Sequence, residues 1–286
     1  MYQRATVLSL VALVNLAIIP GPVASRRADE PRSTASLDLN AELVEFPGPD
    51  NRNLHGYLYK PAGDGPFPAM IWNHGSEQLP GQRTELAEFY VSNGFVFFLP
   101  HRRGHGKSSD AGAYIADEVK RCSTGECVIA QHEKANRDVV AAVEWLKQQR
   151  FVKPREIVMS GLSFGGIQTL LAAEKGLGIR AFVAFSPAAM SWNGVPLLHD
   201  RLSRAEQHAK PPIFLIQAKG DYNLGPYEVL GEYLKTKGGL NRAKLYPQFG
   251  PAPADNHGGF ATRREGIEIW GGDVLAFLRA ALNQAP

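Results

Sequence analysis

The chain has 286 residues, of which 44 per cent are hydrophobic and 21 per cent charged, with a formal net charge of +3. That apolar share suits a core-forming chain and excludes a disordered one, and the slight charge, with no concentrated basic face, excludes nucleic acid as a partner. The length fits a single α/β domain.

Val7–Ile19 is almost wholly apolar, preceded by Arg4 and followed by Pro20-Gly21-Pro22 and the small residues Ala24 and Ser25. A short basic start, an apolar core and a small-residue exit describe a secretory signal, expected over residues 1–25. The run is shorter than the roughly 20 residues of a bilayer span, so no stable membrane span is expected after cleavage. A secreted or periplasmic location follows. Residues 26–40 read as a flexible lead and 41–286 as the folded domain.

Strands near Ala41–Phe46 and Leu54–Lys60 flank the turn Gly48-Pro49-Asp50-Asn51 and predict an antiparallel hairpin at one sheet edge. Pro68–Trp72 reads as a buried strand ending in Asn73-His74-Gly75-Ser76-Glu77. A helix is expected near Thr84–Asn93 and a strand at Phe95–Leu99. Arg102 and Arg103 then read as anchors of a tight turn, with a clamp for a substrate carboxylate as the alternative, and His101 and His105, on a glycine-broken loop, lack the register of a metal pair. Ser108–Gln131 leaves a strand's carboxyl end and is expected to form a rim. It contains the two cysteines of the chain, Cys122 and Cys127, around the turn-like Ser123-Thr124-Gly125-Glu126. In an oxidising compartment they are expected to close a disulfide. His132 alone is thin support for a metal, and no metal site or cofactor is expected.

The next helix, Glu133–Gln149, carries Val139, Val140, Val143 and Leu146 at spacings of three and four, a core-facing stripe. Ile157–Met159 reads as a strand and Ile167–Ala173 as a helical run. Pro187–Pro211 contains Met190, Trp192 and an amphipathic stretch around Leu197–His208; it is too short for a large lid, and Met190 and Trp192 are candidate apolar walls of a substrate pocket. The strands Pro212–Ile216 and Ala243–Tyr246 lead into loops bearing Gly220-Asp221 and Asp255-Asn256-His257, and a last helix is expected near Ile267–Leu282. Alternation of this kind implies a mainly parallel, twisted α/β sheet with helices on both faces.

Between the strand Ile157–Met159 and the helix that follows lies Gly161-Leu162-Ser163-Phe164-Gly165, a G-x-S-x-G nucleophile elbow. A sharp strand-to-helix turn strains the serine backbone and lifts its hydroxyl above the sheet. A serine hydroxyl needs a base held by an acid, and Asp221 and His257 follow in the expected order, each just beyond a strand's carboxyl end. Asp255 is a rival acid, better placed to brace its loop. Backbone N–H groups of Phe164 and of Ser76, or of Gly75, are the expected oxyanion donors. His74 is read as a prop of that loop.

The chain resembles the dienelactone hydrolase and prolyl oligopeptidase branch of the α/β-hydrolase superfamily. The residues that carry the resemblance are Asn73-His74-Gly75, Arg103-Gly104-His105-Gly106-Lys107-Ser108, Gly161–Gly166, Gly220-Asp221 and Asn256-His257. One departure matters: dienelactone hydrolases carry a cysteine nucleophile where this chain has Ser163, so dienelactone itself is not the expected substrate. The oligopeptidase propeller gate is not expected either. The combined expectation is an exported serine hydrolase acting on a small-molecule ester. A serine peptidase is the alternative within enzymes, and a non-catalytic binding protein the alternative outside them.

Overall fold

The computed structural model of the protein describes residues 39–284. The expected signal segment, residues 1–25, and nearly all of the expected lead, 26–40, lie outside the described residues.

The elements are β1 (Glu42–Pro47), β2 (Asn53–Tyr59), β3 (Phe67–Asn73), α1 (Thr84–Ser92), β4 (Val96–His101), α2 (Ile115–Lys120), α3 (Gly125–Lys147) and β5 (Val152–Leu162). They continue through α4 (Phe164–Ala173), β6 (Phe182–Phe185), α5 (Pro196–His208), β7 (Ile213–Ala218), α6 (Glu232–Lys237), β8 (Arg242–Tyr246), α7 (Phe260–Thr262) and α8 (Arg264–Asn283). The strands form an eight-stranded sheet in the order β1-β2-β4-β3-β5-β6-β7-β8. β2 runs antiparallel to β1 and β4, which gives the expected edge hairpin, and the remaining pairs are parallel. This is the α/β-hydrolase architecture that the sequence predicts.

Strand periodicity explains the two layers of core. Ala69 and Ile71 of β3 join a cluster with Val139, Val143 and Leu146 of α3, Leu170 of α4 and Leu202 of α5. Met70 and Trp72, on the alternate face, join Leu86 and Tyr90 of α1 and Trp270, Val274 and Phe277 of α8. Because successive strand side chains point to opposite faces, one apolar run feeds both cores. Val140 of the expected α3 stripe is only half buried, and Ala142 takes its place in the core.

Sheet order also places the site. From β3 the chain moves to β4 on one side, then crosses to β5 on the other. At such a reversal the loops leaving the two strands part, and a crevice opens at their carboxyl ends. The loop after β3 carries Gly75 and Ser76, and the turn after β5 carries Ser163.

Three departures from the expected elements have local causes. β6 is a strand of four residues, too short to show a period, yet it pairs on both sides. α3 begins at Gly125 instead of Glu133, because Thr124 caps it: its hydroxyl accepts from the Cys127 N–H at 3.2 Å. A π-turn over Tyr227–Gly231 runs into α6, a stretch for which the sequence offered no element. No described helix is long and apolar enough to cross a membrane.

Candidate active site

Ser163 joins β5 to α4 with φ 57° and ψ −117°, a conformation that L side chains rarely adopt. Two glycines make that turn possible. A Cβ on Gly161 would stand 2.4 Å from the Gly165 carbonyl oxygen, and one on Gly165 would stand 1.9 Å from the Asn73 oxygen. The elbow therefore packs backbone to backbone against the loop after β3, and that contact tolerates no side chain. The Ser163 N–H donates to the Phe185 carbonyl at 2.9 Å, tying the turn to β6. Phe164 opens α4, so its own N–H has no partner within the helix.

Ser76 and Phe164 line the same cavity as Ser163. Gly75 sits behind them, and its carbonyl accepts from Arg102 Nη2 at 2.6 Å and lies 2.9 Å from His74 Nδ1. Arg102 Nη2 also donates to the His74 carbonyl at 2.8 Å. The Tyr114 hydroxyl donates to the Ser76 carbonyl. Arg103 is the anchor expected of it: its guanidinium binds Asp138 at 2.6 Å and Asp50 at 3.3 Å, and its backbone N–H donates to Asp138 as well.

The loops after β7 and β8 carry the expected acid and base. His257 Nδ1 lies 2.8 Å from Asp221 Oδ1, with both side chains buried. The Asp221 carboxylate also accepts from the Tyr222 N–H at 2.7 Å and from Gln217 Nε2 at 2.8 Å. With Nδ1–H donating to the carboxylate, the lone pair is on Nε2, which is buried and has no hydrogen-bond partner among the described residues. Asn256 holds the histidine's turn: its side chain accepts from the Phe249 N–H at 2.7 Å and donates to the Gly250 and Ala252 carbonyls. Asp255 binds Arg263 at 2.8 Å and the Ala252 N–H at 3.2 Å, which braces the loop.

The cavity above Ser163 has a volume of about 200 Å³. Both expected rim segments supply its walls: Ile115, Val119 and Val128 come from Ser108–Gln131, and Ala188, Met190 and Val195 from the region around Pro187–Pro211. Trp192 is not among them. It is buried in the core, stacked on His199 at 3.8 Å between centroids, and a Cβ on Gly225 would touch its indole nitrogen. The ring is large enough to fill the space between α5 and the loop after β7, so it packs inward while the flexible Met190 stays exposed.

Sequence reasoning missed His132 as a wall. It is buried, lines the cavity and stacks on Phe164 at 4.6 Å. Burial, reinforced by the Arg102 charge, pushes its imidazole down to about 4. The available signal was its place four residues after Val128 on one helix. Cys122 and Cys127 are bonded to each other beside this wall, with Cα atoms 5.4 Å apart. No cluster of metal-ligating side chains occurs among the described residues.

A family model described as X-Pro dipeptidyl-peptidase (S15 family) matches residues 50–211, a span that includes Ser163 and ends before Asp221 and His257. A polyketide transferase of Penicillium is 28% identical over 182 residues, covering 60% of this chain and 55% of that protein. Among solved structures, the acylaminoacyl peptidase of Pyrococcus horikoshii superposes with a TM-score of 0.65 at 17% identity, over 87% of this chain and 43% of its own. An esterase of Pyrococcus furiosus superposes with a TM-score of 0.59 at 21% identity, over 86% of this chain and 94% of its own. The chain thus spans about half the length of the first relative and less than half of the peptidase.

Proposed function

The chain belongs to the X-Pro dipeptidyl-peptidase (S15) family, and from that premise we propose that this serine hydrolase cleaves small carboxylic esters through an acyl-enzyme. Ser163 Oγ attacks the acyl carbon while His257 Nε2 takes its proton, and Asp221 holds the imidazole tautomer and balances the charge that forms. The N–H groups of Phe164 and Ser76 bind the oxyanion. Collapse expels the alcohol with the proton from His257. Water then enters, gives its proton to the same nitrogen and releases the acid with Ser163 restored.

The observation that carries the ester reading is the lining of the cavity at Ser163, which is almost wholly aliphatic and aromatic and, among the described residues, contains no carboxylate. An apolar acyl or alcohol group gains about 0.8 kcal/mol per buried methylene in such a site. A peptidase that cuts near a free N-terminus needs an acid to hold the amine. The family's description favours that second reading, so the two are tested together. p-Nitrophenyl esters from acetate to palmitate should be turned over, with kcat/KM highest at about two to four acyl carbons, and aminoacyl-prolyl p-nitroanilides should not. Turnover of the anilides alone means the peptidase. Turnover of neither means a binding protein on this fold.

Export is part of the proposal. The residue pattern before the domain and the Cys122–Cys127 bond support it. N-terminal sequencing of the mature protein should find residues 1–25 removed; an intact Met1 in the cell interior refutes export.

A further inference from the structure

Arg102 is 2% exposed and makes no salt bridge among the described residues, whereas its neighbour Arg103 binds two carboxylates. Isolated cations are costly to bury, and effective penalties in proteins reach several kcal/mol. What surrounds Arg102 instead is the back of the loop after β3: the His74 and Gly75 carbonyls on Nη2, and the face of Phe164 at 4.9 Å. Nε and Nη1 are buried with no hydrogen-bond partner among the described residues.

We propose that Arg102 is a positioning residue that aims and polarises the peptide N–H of Ser76, the proposed oxyanion donor, and turns the Gly75 N–H the same way. This rests on the reading of Ser163 as the nucleophile. In a planar trans peptide the N–H points opposite to the C=O. The His74 carbonyl shares its peptide with the Gly75 N–H, and the Gly75 carbonyl shares its peptide with the Ser76 N–H. One guanidinium nitrogen grips both oxygens, so both N–H groups are turned away from Arg102. Each peptide then relays the cation: its oxygen faces the guanidinium and its hydrogen faces outward, which strengthens the donor.

His74 completes the grip. The Arg102 backbone N–H donates to His74 Nε2 at 3.3 Å, which leaves the proton on Nδ1, and Nδ1–H donates to the Gly75 carbonyl at 2.9 Å. The 3.0 Å approach of Arg102 Nη2 to Nδ1 is then a contact between two donors that share one acceptor. Burial and the Arg102 charge hold His74 neutral, and burial pushes His101 to about 4 and His105 to about 3. The guanidinium is therefore the one charge among these four side chains at neutral pH, and the carboxylates of Glu77 and Asp138 attract it without forming a salt bridge.

The test compares Arg102→Met, which keeps only the stem, with Arg102→Lys, which keeps the charge. Losing an aimed oxyanion donor costs about 10²–10³ in rate, so Arg102→Met should lose that much kcat/KM on p-nitrophenyl butyrate, carried by kcat. Arg102→Lys should recover part of the loss. A trifluoromethyl ketone, whose adduct on serine carries an oxyanion, should lose affinity in step with kcat/KM. The matching methyl ketone, which stays a ketone, should bind as before. Equal losses for the two ketones, or unchanged kcat/KM in Arg102→Met, overturn the proposal. If Arg102→Met does not fold, Arg102→Lys decides alone, since its weaker grip must still separate the two ketones. Wild-type protein that neither hydrolyses esters nor takes a fluorophosphonate on Ser163 refutes the proposed function and this inference with it. Labelled wild type with an indifferent Arg102 refutes this inference alone.

Discussion

The two halves of the proposed site are held by different means. The half with the proposed nucleophile, the turn after β5 against the loop after β3, is fixed chiefly by backbone contact: Gly161 and Gly165 leave no room for a Cβ. The half that carries Asp221 and His257 is fixed by side chains: Gln217 on the carboxylate, and Asn256 across the histidine's turn. A region held by backbone contact should fail on the addition of an atom. One held by side-chain hydrogen bonds should fail on their removal, and by less, because a hydrogen bond is a smaller quantity than a steric overlap.

The largest expected effect falls on the proposed reacting groups themselves. Ser163→Ala and His257→Ala should each lower kcat by about 10⁴–10⁶ with the fold intact, and Asp221→Asn somewhat less, because such groups act as a unit. Steady-state kinetics beside circular dichroism reads this. Near-full activity in Asp221→Asn together with loss in Asp255→Asn would move the acid to Asp255.

The comparison is sharpest in Gly165→Ala against Asn256→Ala. The first places a carbon 1.9 Å from the Asn73 oxygen and should destabilise the protein by about 4 kcal/mol or more. The second leaves the partly buried Phe249 N–H and the Gly250 and Ala252 carbonyls without their partner and should cost about 2–3 kcal/mol. Urea unfolding measures both, and a ranking in the opposite order breaks the distinction.

Acid should strike the nucleophile half first. His74, His101, His105 and His132 all lie around it with pKa values below the ordinary 6.5, for burial in each case, with His101 and His132 at about 4. The unfolded chain therefore binds these protons before the folded one does. Their stabilisation is fully present above pH 6.5 and is lost as pH falls toward about 4, each proton contributing about 1.4 kcal/mol per pH unit. Urea midpoints from pH 7 to 4.5 should fall steadily, and His132→Phe should make the slope shallower by one proton. An unchanged slope would mean that His132 is not neutral in the fold.

The smallest effect belongs to the disulfide. Cys122 and Cys127 are five apart in sequence, so the loop they close is short and its contribution about 2 kcal/mol. Replacing both by serine should lower the melting temperature modestly and loosen the wall formed by Val119 and Val128. Peptide mapping without reduction tests the pairing itself: two free thiols in protein from an oxidising compartment would remove it.

Much of this molecule was legible in order and type of residue. Alternating apolar strands and striped helices dictated a parallel sheet covered on both faces, because period and length are local properties that each segment carries alone. The elbow was legible for the same reason: glycines on both sides of a serine answer a steric demand within five residues. The order serine, aspartate, histidine could be read because each lies where a strand must end. What the sequence could not contain is which side chains meet across the chain. Trp192 and Met190 look alike as apolar walls, and only packing against His199 and Gly225 sends one into the core and leaves the other at the cavity. Arg102 and Arg103 are neighbours of one type, yet opposite directions along the chain bring one to Asp138 and the other to the carbonyls of His74 and Gly75. Those partners lie 27 to 35 residues away. A buried charge takes its meaning from what surrounds it, and only the folded chain supplies those surroundings.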